Sequence, residues 1–124
     1  MKYDITHALQ ALKPGAQWTL TGFDYSGITW LDSSQTKPTE SEVNAEITKL
    51  TNAEPMRLLR LERNARLTAC DWIITMHKEL GTNIPAAWKT YRQSLRDFPA
   101  SASPSLDSDG FLDLSSVTWP TEPS

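Results

Sequence analysis

The chain has 124 residues, of which 39% are hydrophobic and 22% charged, and its formal net charge is −3. This length suits one domain with appendages and a modest core, and the weakly acidic balance argues against a general nucleic-acid or membrane-surface binder. The single cysteine, Cys70, excludes an internal disulfide. With neither an apolar run long enough to span a bilayer nor a basic-then-apolar amino-terminal signal, the protein is expected in the cytosol of the cell that makes it.

Charge is distributed unevenly along the sequence. Residues 1–55 carry four Lys/Arg and seven Asp/Glu, a net of −3, whereas residues 56–97 carry eight and four, a net of +4. Residues 98–124 carry no Lys/Arg and four Asp/Glu, a net of −4. The pattern indicates ends that fold back on a basic middle, a middle that faces an acidic partner, or solvated helix faces.

The amino-terminal part predicts a helix followed by a β-hairpin. The spacing of apolar residues favours a short helix over residues 4–12 with Asp4 as its N-cap. Residues 16–21 and 28–32 then alternate weakly between apolar and polar side chains and are separated by a glycine-flanked turn. They are the expected strands of the hairpin.

Two tryptophans and a third helix complete this part of the chain. A two-stranded hairpin is marginal alone, so Trp18 and Trp30 are expected to bury and to form the amino-terminal core. Thr39 and Glu42 have the spacing of a capping box at the start of the third helix. A linker over Thr51 to Pro55 is expected to end that helix.

The clearest helical periodicity follows this linker. Apolar residues at steps of three and four predict one helix of six or seven turns with a buried stripe. The stripe consists of Leu58, Leu61, Ala65, Ala69, Trp72, Met76 and Leu80.

A second helix is expected after a stop at Gly81 and Asn83. It begins at Pro85 and ends before Pro99. Its apolar residues are Ala87, Trp88, Tyr91, Leu95 and Phe98. A connection this short favours an antiparallel αα-hairpin in which the two stripes bury each other.

The sequence after Pro99 is rich in serine and acidic residues. Such a composition does not order itself, so its apolar residues dock on the body, pair with a partner or stay loose. The predicted class is α+β: an α-β-β-α unit with a β-hairpin (residues 1–54), an antiparallel αα-hairpin (residues 55–99) and an extended acidic Pro/Ser-containing tail (residues 100–124).

The sequence has no arrangement typical of a catalytic or metal centre. His7 and His77 are far apart, and Cys70 lies within a helical pattern. No His, Cys or carboxylate group has metal-ligand spacing, and no glycine-rich phosphate loop or nucleophile elbow occurs. We therefore expect no enzymatic activity, no metal and no cofactor.

Four arginines, Arg57, Arg60, Arg63 and Arg66, recur at a spacing of three. At that spacing they move around a helix rather than align along it, which is poor geometry for following a phosphate backbone. A solvated face with Glu62 in pairing range is the favoured interpretation, and a small regulator that binds nucleic acid is the other.

Short motifs in the second half resemble the phage tail assembly chaperone family. They are Arg66-Leu67, Asp71-Trp72, Ala87-Trp88, Tyr91-Arg92-Gln93, Leu95-Arg96-Asp97, Trp119-Pro120 and Pro123. The resemblance implies a protein that binds and shields a trimeric tail-fibre protein during folding or trimerisation. It implies action in the host cytoplasm, without nucleic acid or membrane, as a monomer when alone. The alternative is a structural virion component that stays on the fibre as adaptor or cap.

The resemblance also supplies candidate partner-binding residues. They are Trp72, Trp88, Tyr91, Arg92, Arg96, Trp119 and Pro120. Other roles compete: both helical tryptophans suit a core, and Asp71 could neutralise one of the two arginines within the hairpin. Trp119 could dock on the body or insert into a partner.

Overall fold

The structure, a computed structural model, describes residues 2–124 and is of the mixed α+β class. Four α-helices and one two-stranded antiparallel sheet occur in this part of the chain. Their order is α1 (Ile5–Leu12), β1 (Trp18–Leu20), β2 (Ile28–Trp30), α2 (Glu40–Ala69), α3 (Asp71–Leu80) and α4 (Ala86–Ser101). The chain divides into two compact units, Met1–Glu54 and Pro55–Ser124. None of the helices within residues 2–124 is both long and apolar enough to cross a bilayer.

The first unit begins with the predicted cap. Asp4 Oδ1 accepts hydrogen bonds from the backbone N–H groups of Thr6 at 3.0 Å and His7 at 3.3 Å. These bonds satisfy two of the donors that a helix leaves unpaired at its start. The cap is therefore confirmed.

The predicted β-hairpin is also confirmed, with Trp18 opposite Trp30 in its register. The centre of the core is elsewhere, however. It is formed by Ile5, Ala8, Leu9, Ile28 and Val43, against which both tryptophans pack half-buried. Trp30 stays at the margin because its Nε1–H donates to the Gln35 carbonyl at 2.9 Å, and a tryptophan needs such a partner.

Helix α2 opens with the predicted capping box and then runs further than predicted. Thr39 Oγ1 accepts from Glu42 N at 3.1 Å, and Glu42 Oε1 accepts from Thr39 N at 3.2 Å. The expected linker at Thr51 to Pro55 is wrong, since this segment is helical with Pro55 inside α2. Glu54, the helical residue directly before the proline, is buried and accepts a hydrogen bond from the Tyr3 hydroxyl. This bond holds Glu54 in place.

The single long helix predicted for residues 57–80 is broken at Cys70. The Cys70 N–H donates to the Leu67 carbonyl at 3.2 Å, and the Cys70 carbonyl accepts from Ile73 N at 3.2 Å. Arg92 also donates to the Leu67 carbonyl, at 2.9 Å. This carbonyl would otherwise accept from Asp71 N in an uninterrupted helix. The side chain from α4 thus occupies the acceptor that would continue α2.

The later helix boundaries agree in part with the sequence. Gly81 ends α3 with a φ of 70°, a left-handed conformation that favours glycine, so this stop is confirmed. The predicted end before Pro99 is wrong, because α4 continues to Ser101. Pro99 lies in the last turn, where it removes only its own donor, and Ala102 N still donates to the Phe98 carbonyl at 3.0 Å.

Candidate partner-binding site

The second unit is built around a small buried cluster. Its members are Cys70, Ile73, Tyr91 and Leu95, with exposed fractions of 6% or less. Trp88 is half-buried and meets the Tyr91 ring edge-on, with 5.8 Å between ring centroids. Two of the candidate residues, Trp88 and Tyr91, therefore contribute to packing within the unit.

The buried stripe predicted on residues 58–80 is exposed instead. The exposed fractions are 53% for Leu61, 61% for Trp72, 36% for Met76 and 66% for Leu80. We call these four residues the apolar stripe. The core expectation for Trp72 is wrong.

The buried positions follow the predicted ones by one residue. Leu59, Cys70 and Ile73 are buried, each directly after a member of the predicted stripe. The reason is that arginines occupy the inward helix face: Arg63 Nη1 donates to the Arg96 carbonyl at 3.2 Å. Arg66 lies 4.3 Å over the Trp119 ring. A prediction from apolar spacing leaves these positions out, because arginine is charged. The aliphatic stem of an arginine nevertheless packs readily against apolar surface.

Arg92 connects three groups at the break between α2 and α3. Its Nη1 lies 2.9 Å from both the Leu67 carbonyl and Cys70 Sγ, and its Nη2 lies 2.8 Å from Asp71 Oδ1. Burial alone would lower the pKa of Arg92, but the bonds to Cys70 and Asp71 outweigh it and raise that pKa. The intramolecular pairing with Asp71 that the sequence left open is therefore present.

Arg96 lies on the exposed side of α4. Its Nη2 donates to Gln93 Oε1 at 2.7 Å, and Gln93 Nε2 donates to both carboxylate oxygens of Asp97 at 3.0 and 3.1 Å. These side chains and Lys89 line an open groove that Ile74 borders on α3. Gln93, Arg96 and Asp97, the polar residues of the two motifs in this part of α4, thus face solvent.

Trp119 docks on the body of its own unit. Its ring lies 4.7 Å from that of Phe98 and packs against the buried cluster. Pro120, half-buried, lines a groove with Ser94 and Asp97. The indole Nε1 is buried and has no hydrogen-bond acceptor among residues 2–124.

The segment before Trp119 is folded rather than extended throughout. Leu106 and Leu112 form an antiparallel bridge, and Asp113 N donates to the Ser105 carbonyl at 2.8 Å. Asp107 Oδ1 accepts from Phe111 N at 3.0 Å, the kind of local bond through which aspartate forms turns. The hydrogen bonds of Ser115 lower the pKa of Asp113.

The structure shows no metal centre in the part of the chain it describes. No group of three or more His, Cys, Asp or Glu side chains within residues 2–124 could hold an ion. What the second unit does present is the exposed apolar stripe on a helical framework. Trp72, Met76 and Leu80 recur at steps of four on α3 and so share one exposed helix face, and large apolar side chains grouped in this way are typical of proteins that bind other proteins.

Comparison with known families agrees with that class. The sequence profile described as phage tail assembly chaperone protein matches residues 56–124, more than half of the chain. The chain therefore belongs to the phage tail assembly chaperone family. It is a bacteriophage protein of tail assembly, and its partner is a phage tail protein. Searches of curated proteins and of solved structures returned no match.

Proposed function

We propose that the chain is a chaperone of the tail fibre, which it binds and shields during folding or trimerisation. The observation that supports this proposal is the apolar stripe, which lies within the family-matched residues. Unassembled chains of a trimeric, β-rich fibre expose strand edges and apolar surface that aggregate unless covered. An exposed stripe on a small helical protein is suited to covering such surface.

The stripe has the side chains that carry interface energy elsewhere. Trp72 offers a large ring, and Met76 adapts its shape to an irregular partner surface. A chaperone of this kind needs no nucleotide, metal or catalytic group, since higher affinity for the unassembled fibre than for the finished one is sufficient. We accordingly propose a non-enzymatic protein that acts in the host cytoplasm, without nucleic acid or membrane.

The candidate residues divide by position. Trp72 and Arg96 are exposed and are proposed to contact the fibre directly. Trp88, Tyr91 and Arg92 are proposed to act by holding the helices in place, whereas Trp119 and Pro120 dock on those helices from the carboxyl-terminal segment.

Two contacts between α2 and α4 indicate the relative direction of these helices. Arg63 contacts Arg96, and Leu67 contacts Arg92, so residue numbers rise on one helix as they fall on the other. We infer from this order that α4 runs antiparallel to the end of α2, with α3 in the connection between them.

Co-expression with the fibre protein of the same phage tests the function. The wild-type chain should raise the soluble yield of the fibre and purify with it, whereas Trp72→Ser and Leu80→Ser should lose most of both effects. Phe23→Ser is the matched control, because Phe23 is 93% exposed but belongs to the first unit. No effect of the wild-type chain on fibre solubility or recovery would refute the proposal.

Mass spectrometry of purified particles separates the two roles that the fold permits. A chaperone that leaves after assembly should be missing from particles. A fixed ratio of chain to fibre in particles would instead establish a structural adaptor or cap. Sedimentation of the isolated protein should give a monomer, and a stable trimer would contradict that expectation.

A further inference from the structure

The carboxyl-terminal segment lies against α2, which carries one member of the apolar stripe, and against α4. Three of its residues, Phe111, Leu112 and Leu114, line an open groove with Leu58 and Leu61 of α2. Leu61 is itself a member of the stripe. We call residues 102–124 the strap, and it occupies surface directly beside the proposed fibre-binding residues.

The docked strap leaves apolar side chains partly exposed and one buried hydrogen-bond donor without an acceptor among the described residues. Phe111 and Leu114 remain 68% and 66% exposed although they line the groove. The buried indole Nε1 of Trp119 has no acceptor among the described residues, and an unpaired buried donor costs free energy. Docking of the strap is therefore less favourable in free energy than it would be with these apolar side chains fully buried and the indole N–H paired.

The strap also keeps much of its structure within itself. Asp107 N donates to the Phe111 carbonyl at 2.7 Å, and Ser105 N donates to Ser116 Oγ at 3.1 Å. These bonds join residues of the strap to one another. The turn that they close does not depend on the helices for those donors and acceptors.

The strap and the helical residues 56–97 carry net charges of opposite sign. The strap holds four Asp/Glu and no Lys/Arg, whereas residues 56–97 hold eight Lys/Arg and four Asp/Glu. Arg66 lies over the Trp119 ring, an arrangement in which a cation attracts the face of an aromatic system. The helices thus accept a segment that is acidic and carries large apolar side chains.

We propose that the strap is an intramolecular stand-in for the partner. An acidic segment of the tail protein with aromatic or aliphatic side chains binds where the strap lies, and the strap leaves as it binds. This inference rests on the proposed function, since the fibre protein supplies the segment. Until the partner arrives, the strap covers part of the surface and lowers its apparent affinity.

Fluorine NMR of the full chain labelled with 5-fluorotryptophan tests the displacement. Trp119→Phe assigns the Trp119 resonance, and Trp72→Phe assigns that of the stripe. On addition of the fibre protein, the Trp119 resonance should move to the position of a solvent-exposed tryptophan. A Trp72 resonance that shifts while that of Trp119 stays unchanged would refute the inference and leave the proposed function standing. If neither the resonances nor the sedimentation rate changes, the chain does not bind the fibre, and both proposals fail.

Affinity gives an independent test. Leu112→Ser and Trp119→Ala both loosen the strap without changing the helices, and should bind the fibre protein about tenfold more tightly than the wild type. Phe23→Ala is the control and should leave the affinity unchanged. Weaker binding by a folded Leu112→Ser variant would show that the docked strap belongs to the site, and would overturn the inference.

The acidic character of the partner segment has its own readout. Binding of the fibre by Trp119→Ala should weaken severalfold when salt rises from about 0.05 M to about 0.5 M, because opposite charges are screened. Binding that is insensitive to salt would contradict an acidic segment. Sedimentation of the free chain as a dimer that Trp119→Ala dissociates would assign the surface to the strap of a second copy instead.

Discussion

Arg92 holds the start of α3 against α4 through Asp71, with 2.8 Å between Nη2 and Oδ1. The two residues differ in their surroundings: the Arg92 side chain is 16% exposed and that of Asp71 is 59% exposed. The guanidinium also reaches the Leu67 carbonyl at the end of α2. One side chain thus ties three helices together at the break beside Cys70.

Removal of Arg92 should destabilise the protein more than removal of Asp71. Arg92→Ala leaves the Leu67 carbonyl without its charged donor, and we expect a loss of about 1.5–3 kcal/mol in the free energy of unfolding. Asp71→Ala removes only a largely exposed ion-pair partner and should cost less than about 1 kcal/mol. Urea denaturation of both variants measures the difference.

A lysine at the same position is the control for charge. Arg92→Lys keeps the charge but has a single ammonium in place of the two-pronged guanidinium. It should recover less than half of the loss. Full recovery would show that charge alone matters and that the bonds to the Leu67 carbonyl and Asp71 do not.

The exposure of the apolar stripe gives a second prediction. Leu95 is fully buried, whereas Leu80 is 66% exposed. Leu95→Ala should lower the free energy of unfolding by about 2–5 kcal/mol, because it leaves a cavity. Leu80→Ala should change it by about 0.5 kcal/mol or less. Equal losses in urea denaturation would mean that the apolar stripe is part of the core after all.

Local sequence features predicted the local structure well. The caps at Asp4 and Thr39 and the stop at Gly81 depend on residues within one helical turn, so their spacing in the sequence is sufficient. The break at Cys70 could not be found in this way. It depends on Arg92, which donates to Leu67 from 25 positions further along the chain.

The candidate site was predictable in composition but not in orientation. Apolar residues do recur at steps of three and four on these helices, but Trp72, one of them, lies on the solvent side. The inward face contains Arg63 and Arg66, whose contacts are with a backbone carbonyl and an aromatic ring. Long-range contacts with α4 and with Trp119 make such a face favourable, and periodicity carries no information about them. The helical spacing of Leu59, Arg66, Cys70 and Ile73, by seven, four and three residues, was the sequence signal that could have identified the buried face.

Asp32 should make the stability of the protein depend on pH in the acid range. Its carboxylate accepts from the backbone N–H groups of Gln17 at 3.0 Å and Gln35 at 2.8 Å, and from Ser34. Those bonds, that of Gln17 first, lower the pKa of Asp32 to about 2, from 3.8. A group with a depressed folded pKa stabilises fully above the unfolded value, and this contribution disappears as pH falls through the folded value.

The comparison with Asp32→Asn isolates this contribution. The wild type should be more stable than the variant at pH 7, and the gap should close as the pH falls from about 4 to about 2. Ser34→Ala removes one donor and should move the closing of the gap to higher pH. Thermal unfolding at a series of pH values measures both effects. A gap that stays constant from pH 7 to pH 2 would contradict the assigned hydrogen bonds.

Pro55 should be a destabilising residue within α2. A proline inside a helix lacks the N–H that would donate to the carbonyl four residues earlier, here that of Thr51. Pro55→Ala restores the donor and should raise the free energy of unfolding by about 1–3 kcal/mol in urea denaturation. Pro99→Ala is the matched control and should give a smaller gain, because Pro99 lies in the last turn of α4. A loss of stability in Pro55→Ala would mean that the proline's local geometry is needed to hold the buried Glu54 against the Tyr3 hydroxyl.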